Sequence, residues 1–152
     1  SNSTAKTAGD VRFIADEAQL RSALADFTAA GIKDFIVSAH LEGDLVKFYG
    51  VEGTPFFSHT YPTRENGFSK FGLEQHNGAP AEYSFSISAL KTTADAAARH
   101  FGMPIYGGDA IIRPDGRFFL IDFNDWPSFG SCTQAAAEAI SARALHFLRP
   151  GA

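Results

Sequence analysis

Asp109, Asp122 and Asn124 are the side chains with the most chemistry to offer in this chain. They lie in IYGGDAIIRPDGRFFLIDFNDWPSF, residues 105–129, where two β-prone apolar runs flank Asp115-Gly116. Asp-Gly is a strong signal for a two-residue hairpin turn. Such a turn pairs Pro114 with Arg117, and the register then sets Asp109 directly opposite Asp122. Opposed residues hold their Cβ atoms about 4.5–5.5 Å apart, and like charges there destabilise a sheet, so the pair calls for a cation or a shared proton. Asn124, two residues on, projects from the same face. Two carboxylates and an amide oxygen are hard donors that suit Mg2+ or Mn2+, with phosphate and water completing the shell. The plainer alternative is that Asp-x-Asn at a strand end serves only as a turn or cap.

The other candidate ligands are weaker. His40, His59, His76, His100 and His146 show no metal-ligand spacing. The single cysteine, Cys132, excludes an intrachain disulfide, fits a reducing compartment and reads as a small buried apolar residue. A net charge of −4 with no basic stripe argues against nucleic acid as a partner. No apolar run approaches the roughly 20 residues of a membrane span, and no signal-peptide pattern opens the chain, so the expected setting is cytoplasmic, with no membrane partner.

The elements that must position these residues follow from periodicity and punctuation. At 152 residues and 45% hydrophobic, the chain suits one domain with a substantial core. Residues 1–10 are small and polar and read as a frayed terminus. A short strand is expected over 11–15, then a helix started by Asp16 with Gln19 and ended by Gly31, its apolar face formed by Leu20, Ala23, Leu24 and Phe27. A strand over 35–37 runs into Ala39, His40 and Leu41. Strands over 45–51 and 54–61 form a hairpin around Glu52-Gly53, and 61–83 lacks a period. A helix over 86–101 presents Ile87, Leu90, Ala94, Ala97 and Phe101 and stops at Gly102 and Pro104. The long hairpin follows, with Tyr106 and Trp126 expected to pack inside. An Ala-rich helix over 132–148, capped by Ser131, lays Ala136, Ile140, Ala144 and Phe147 on the sheet. The fold class is α+β, an antiparallel sheet with flanking helices.

The order Asp109, Asp122-x-Asn124, Pro127 and then a helix resembles the metal-binding hairpin in the C-terminal lobe of the ATP-grasp superfamily. The resemblance implies that Asp109, Asp122 and Asn124 hold the magnesium ions that bridge ATP phosphates. Upstream, FIVSAHLEGDLVKFYGV, residues 35–51, resembles the strand that crosses from the small lobe into the large one. This implies Ser38, Ala39, His40 and Leu41 along the adenine edge, mainly through backbone groups, with Asp44 near the ribose and Lys47 in the nucleotide or substrate cleft. Read from its apolar neighbours Val46 and Phe48 alone, Lys47 is equally a snorkelling surface residue. In YPTRENGFSKFGLEQHNG, residues 61–78, Arg64 and Lys70 are the candidates for the acceptor or the transferred phosphate, a solvated charged loop being the alternative. Ser128, before the last helix, is a candidate anion contact or part of a capping turn.

In the family, a phosphate-binding lysine and a glycine-rich flap belong to the small lobe. Both are expected before residue 11, where Lys6 and Gly9 stand as remains of the flap. The expectation is a single partial ATP-grasp domain over 1–152, with 11–41 the remnant of the small lobe and 42–150 the large lobe. It would be completed by the missing N-terminal part of its own protein or by a homo-oligomer partner. The resemblance implies an ATP- and Mg2+-binding segment of a carboxylate-amine or carboxylate-thiol ligase that acts on a small-molecule acceptor through an acyl phosphate. Because metals neutralise the phosphates in such chemistry, ligands rather than a catalytic base are nominated, and weak or no activity is expected of the isolated chain. The alternatives are a phosphotransferase to a hydroxyl and a non-catalytic nucleotide-binding module.

Overall fold

The computed structural model describes residues 11–62 and 79–148. The chain divides into two compact units, one of residues 1–40 and 67–76, the other of 41–66 and 77–152. In the first unit, helix α1 (Glu17–Ala29) starts where Asp16 accepts a hydrogen bond from the Gln19 amide at 2.8 Å. The Gln19 side chain reaches back to the Ala15 amide at 3.0 Å, a reciprocal arrangement that satisfies two otherwise orphaned donors. Arg12 pairs with Asp26 and lies over the Phe27 ring. The strands expected at 11–15 and 35–37 are not formed: both stretches are irregular, with Phe13, Ile36 and Val37 exposed. A strand needs a neighbour for its ladder, and no described residue supplies one here.

The second unit is α+β. It comprises β1 (Asp44–Val51), β2 (Phe57–Thr60), α2 (Ile87–Phe101), β3 (Ile105–Ile112), β4 (Phe118–Asp125) and α3 (Thr133–Leu148). The four strands form one antiparallel sheet in the order β2-β1-β3-β4. Strand periodicity divides the sheet into two faces. Val46, Phe48, Tyr106, Ala110 and Ile112 point to one face and form the core with Leu90, Ala94 and Ala98 of α2. Helix α2 is capped by Ser86, which accepts from the Ala89 amide at 3.1 Å, and ends at left-handed Gly102. Its buried stripe is 90, 94 and 98, so Ile87 and Phe101, expected inside, are exposed. In α3 the buried positions among the described side chains are Ala136 and Ala139, whereas Ala144 is exposed; the Phe147 side chain lies outside the described ones, and the residue before the helix is Cys132 rather than Ser131.

Helices α2 and α3 are tied by one carboxylate. Glu52, in the turn after β1, accepts from Arg99 of α2 at 3.2 Å and from Arg143 of α3 at 2.9 Å. A second carboxylate, Asp44, is 7% exposed and accepts from the backbone amides of Ala81 at 2.8 Å and Tyr83 at 3.0 Å. Glu82 lies between those amides with a positive φ of 56°, a conformation that a side chain adopts only when its surroundings hold it there.

Candidate metal and phosphate site

The β3–β4 hairpin sets Asp109 against Asp122, as the spacing predicts, but by a different route. The turn has three residues, not two: the Arg113 amide donates to the Arg117 carbonyl at 2.8 Å, and the Gly116 amide to the Arg113 carbonyl at 2.9 Å. Pro114 is preset for the first turn position, and Gly116 takes the left-handed φ of 79° that a side chain resists. Asp115 accepts from the backbone and guanidinium of Arg117, and these bonds hold its carboxyl below the usual range. This turn alone would pair Asp109 with Ile121. A β-bulge between Asp109 and Ala110 shifts the register by one residue and restores Asp122 as the partner. The strands close up tightly there, since a Cβ on Gly108 would fall 2.1 Å from the Asp122 carbonyl oxygen.

Lys47 of β1 is the direct partner of Asp109 on the other side, so Lys47, Asp109 and Asp122 form one row across three strands, pointing to the face opposite α2. The Lys47 ammonium donates to Asp109 at 3.3 Å, with both side chains partly buried at 32% and 24% exposure. The cation that two opposed carboxylates require is thus supplied in part by the chain itself. Asp122 is exposed and accepts from the Asn124 amide nitrogen at 2.6 Å. Turning that amide about its last torsion would present its oxygen beside the carboxylates instead. The donor set is two carboxylates and one amide oxygen, all hard and two of the three solvent-accessible, and it fits Mg2+ or Mn2+. Among the described residues no cluster of three or more His, Cys, Asp or Glu side chains stands at metal-binding spacing.

The neighbouring rows complete the face. On one side Leu45, Ile111 and Phe119 make an apolar row, from half-buried Leu45 to partly exposed Phe119. On the other side Tyr49, Gly107 and Asn124 are partners. Past Asn124 the chain turns at Trp126, whose amide donates to the Ile105 carbonyl at 3.1 Å and whose φ is 44°. Trp126 is 67% exposed, so it is not the packed anchor expected of it. Pro127 then packs on Gly107, where a Cβ would approach its ring to 2.7 Å, and Phe129 lies 5.8 Å from the Tyr49 ring. Burial raises the Tyr49 phenol above its ordinary range; Lys47 pulls the other way, while Cys132 and Asp109 add to the rise.

Ser38, Ala39 and His40 belong to the first unit and Leu41 to the second. All four lie in irregular chain, and His40 makes an edge contact with Phe13. The crossing strand expected there therefore begins only at Asp44. The Asp44 carboxylate is engaged by the Ala81 and Tyr83 amides and buried, a structural task in place of an open face for a ribose. Ser128 is exposed in the loop before α3. Arg64 and Lys70 lie outside the described residues. Sequence reasoning missed Leu45 and Tyr49 as members of the site face, although strict alternation about Lys47 places both there.

No helix among the described residues is long and apolar enough to cross a membrane. Compared with protein-family models, curated proteins and solved structures, the chain matches none of them.

Proposed function

We propose that the chain is the nucleotide- and magnesium-binding segment of an ATP-grasp enzyme, a carboxylate-amine or carboxylate-thiol ligase that works through an acyl phosphate. One observation carries the reading: Lys47, Asp109 and Asp122 share a row on one sheet face, with Asn124 beside them. An ammonium next to hard oxygen donors is the combination that a polyphosphate and its Mg2+ require. The adjoining row of Leu45, Ile111 and Phe119 supports the same reading, because a planar base beside bound phosphates needs an apolar floor.

In this reading each residue has a task. Lys47 offers a point charge to a phosphate oxygen, and Asp109 holds that ammonium in the row and is itself a carboxylate ligand for the metal. Asp122 and Asn124, the accessible members, complete the metal's protein ligands. The metal would supply charge neutralisation across the phosphate oxygens. No side chain needs to act as a base, since positioning and electrostatics do most of the work in phosphoryl transfer.

Isothermal titration with Mg2+ and a non-hydrolysable ATP analogue tests this. The unaltered chain should bind the analogue only when Mg2+ is present, and Asp122→Ala should lose that metal-dependent binding. Equal affinity of both proteins would remove the metal assignment, and no binding by the unaltered chain would remove the nucleotide assignment.

A further inference from the structure

Both carboxylates of the row accept a hydrogen bond from a nitrogen, Asp109 from the Lys47 ammonium at 3.3 Å and Asp122 from the Asn124 amide at 2.6 Å. A divalent ion needs the same oxygens, so each donor has to give way. Asn124 does this by turning its amide over, which changes it from a donor into an oxygen ligand. Lys47 has no such option, because an ammonium only donates and repels a second cation at the same carboxylate. Its bond to Asp109 is longer than the roughly 2.7–2.9 Å usual for a tight charged pair. Its four-carbon stem can swing away while β1 stays paired with β3.

The charges set the direction of that movement. Along the row one ammonium stands against two carboxylates, a deficit of positive charge. A divalent ion added beside the ammonium turns the deficit into a surplus, and a polyphosphate removes the surplus. We propose that Lys47 is an internal counter-cation that competes with the divalent ion for Asp109, and that the nucleotide ends the competition by drawing the ammonium onto a phosphate oxygen; this rests on the nucleotide reading. Metal and nucleotide then favour each other's binding through one side chain, and the coupling is reciprocal. Lys47 thereby withholds the carboxylates from a divalent ion that arrives without nucleotide.

The test compares the unaltered 152-residue chain with Lys47→Met, which keeps most of the stem and removes the charge. Electron paramagnetic resonance of the free ion measures binding of Mn2+ alone, and calorimetry measures binding of the β,γ-methylene analogue of ATP with Mn2+. Lys47→Met should bind Mn2+ alone about tenfold more tightly, and the analogue with Mn2+ about tenfold more weakly. Lys47→Gln, equally neutral, should shift both affinities in the same directions, and Lys47→Arg, which restores the charge, should bring Mn2+ affinity back to that of the unaltered chain. Loss of affinity for both ligands in the two neutral variants would mean that Lys47 only holds the strands together and would overturn the exchange. If the unaltered chain binds the analogue with Mn2+ but the neutral variants bind Mn2+ alone no more tightly than it does, the Lys47 proposal fails and the nucleotide reading stands. If the unaltered chain binds no analogue, the nucleotide reading fails and this proposal with it.

Discussion

Replacing Asp44 with alanine should cost the protein about 2–4 kcal/mol of stability with no nucleotide present. The magnitude comes from two hydrogen bonds to one carboxylate, from the Ala81 amide at 2.8 Å and the Tyr83 amide at 3.0 Å. Bonds to a charged acceptor contribute about 1.5–3 kcal/mol each. Ala81 is exposed, so water can satisfy its amide once the carboxylate is gone, and the sum is discounted accordingly. Tyr83 is half-buried and packs against the core cluster, which keeps its amide the more costly one to leave unmatched. Urea unfolding gives the free energy, and amide exchange at Ala81 and Tyr83 locates the effect. Asp44→Asn, which keeps an acceptor oxygen, should retain about half of the stabilisation. If Asp44→Ala unfolds within about 0.5 kcal/mol of the unaltered protein, as is usual for surface substitutions, the carboxylate is not the clamp described.

Three further outcomes follow from the packing. Gly108→Ala would drive a Cβ to 2.1 Å from the Asp122 carbonyl oxygen and 2.8 Å from the Phe48 ring, so β3 and β4 must separate. The cost is about 3 kcal/mol or more in thermal unfolding, with loss of any metal binding; an unperturbed variant contradicts the tight register. Glu52→Gln should destabilise by about 1–2 kcal/mol, chiefly through Arg143, while Arg99→Ala, at the more exposed end, should cost less than about 1 kcal/mol. A double-mutant cycle of Glu52 with Arg143 measures the coupling, and additive losses would refute it. Burial and the 2.8 Å bond to Asp95 push the Tyr106 phenol far above its ordinary value of 10.0. A raised folded pKa means that the stabilisation is complete below 10.0 and declines as pH rises beyond it. The advantage of the unaltered protein over Tyr106→Phe should therefore shrink above that pH, and a constant difference would contradict the assignment.

The second unit was more legible in the sequence than the first, and the difference is physical. The long hairpin carries its own punctuation, and Ser86 and Gly102 bound α2 within a residue of expectation. The sequence spacing predicts the opposition of Asp109 and Asp122 but not the three-residue turn and the bulge, two one-residue departures that cancel. Neither departure leaves a periodic mark, because each adds a single residue to the hairpin without changing the alternation on either side of it. The Lys47–Asp109 pair joins residues 62 apart, and no local pattern reports which strand becomes the neighbour of β3. The stretches at 11–15 and 35–37 have β-prone residues, but composition alone cannot provide a pairing partner. Residue type alone makes Trp126 a buried anchor, whereas its position at a left-handed turn leaves it exposed.

The most direct test of the central claim is a titration of the isotopically labelled chain with Mn2+ and a non-hydrolysable ATP analogue, followed by nuclear magnetic resonance. Paramagnetic broadening falls off steeply with distance and so reports where the cation sits. The account predicts that the amide signals of Asp109, Asp122, Phe123 and Asn124 broaden first, and that Asp122→Ala removes the effect. Broadening centred elsewhere in the chain, or unchanged in Asp122→Ala, would contradict it.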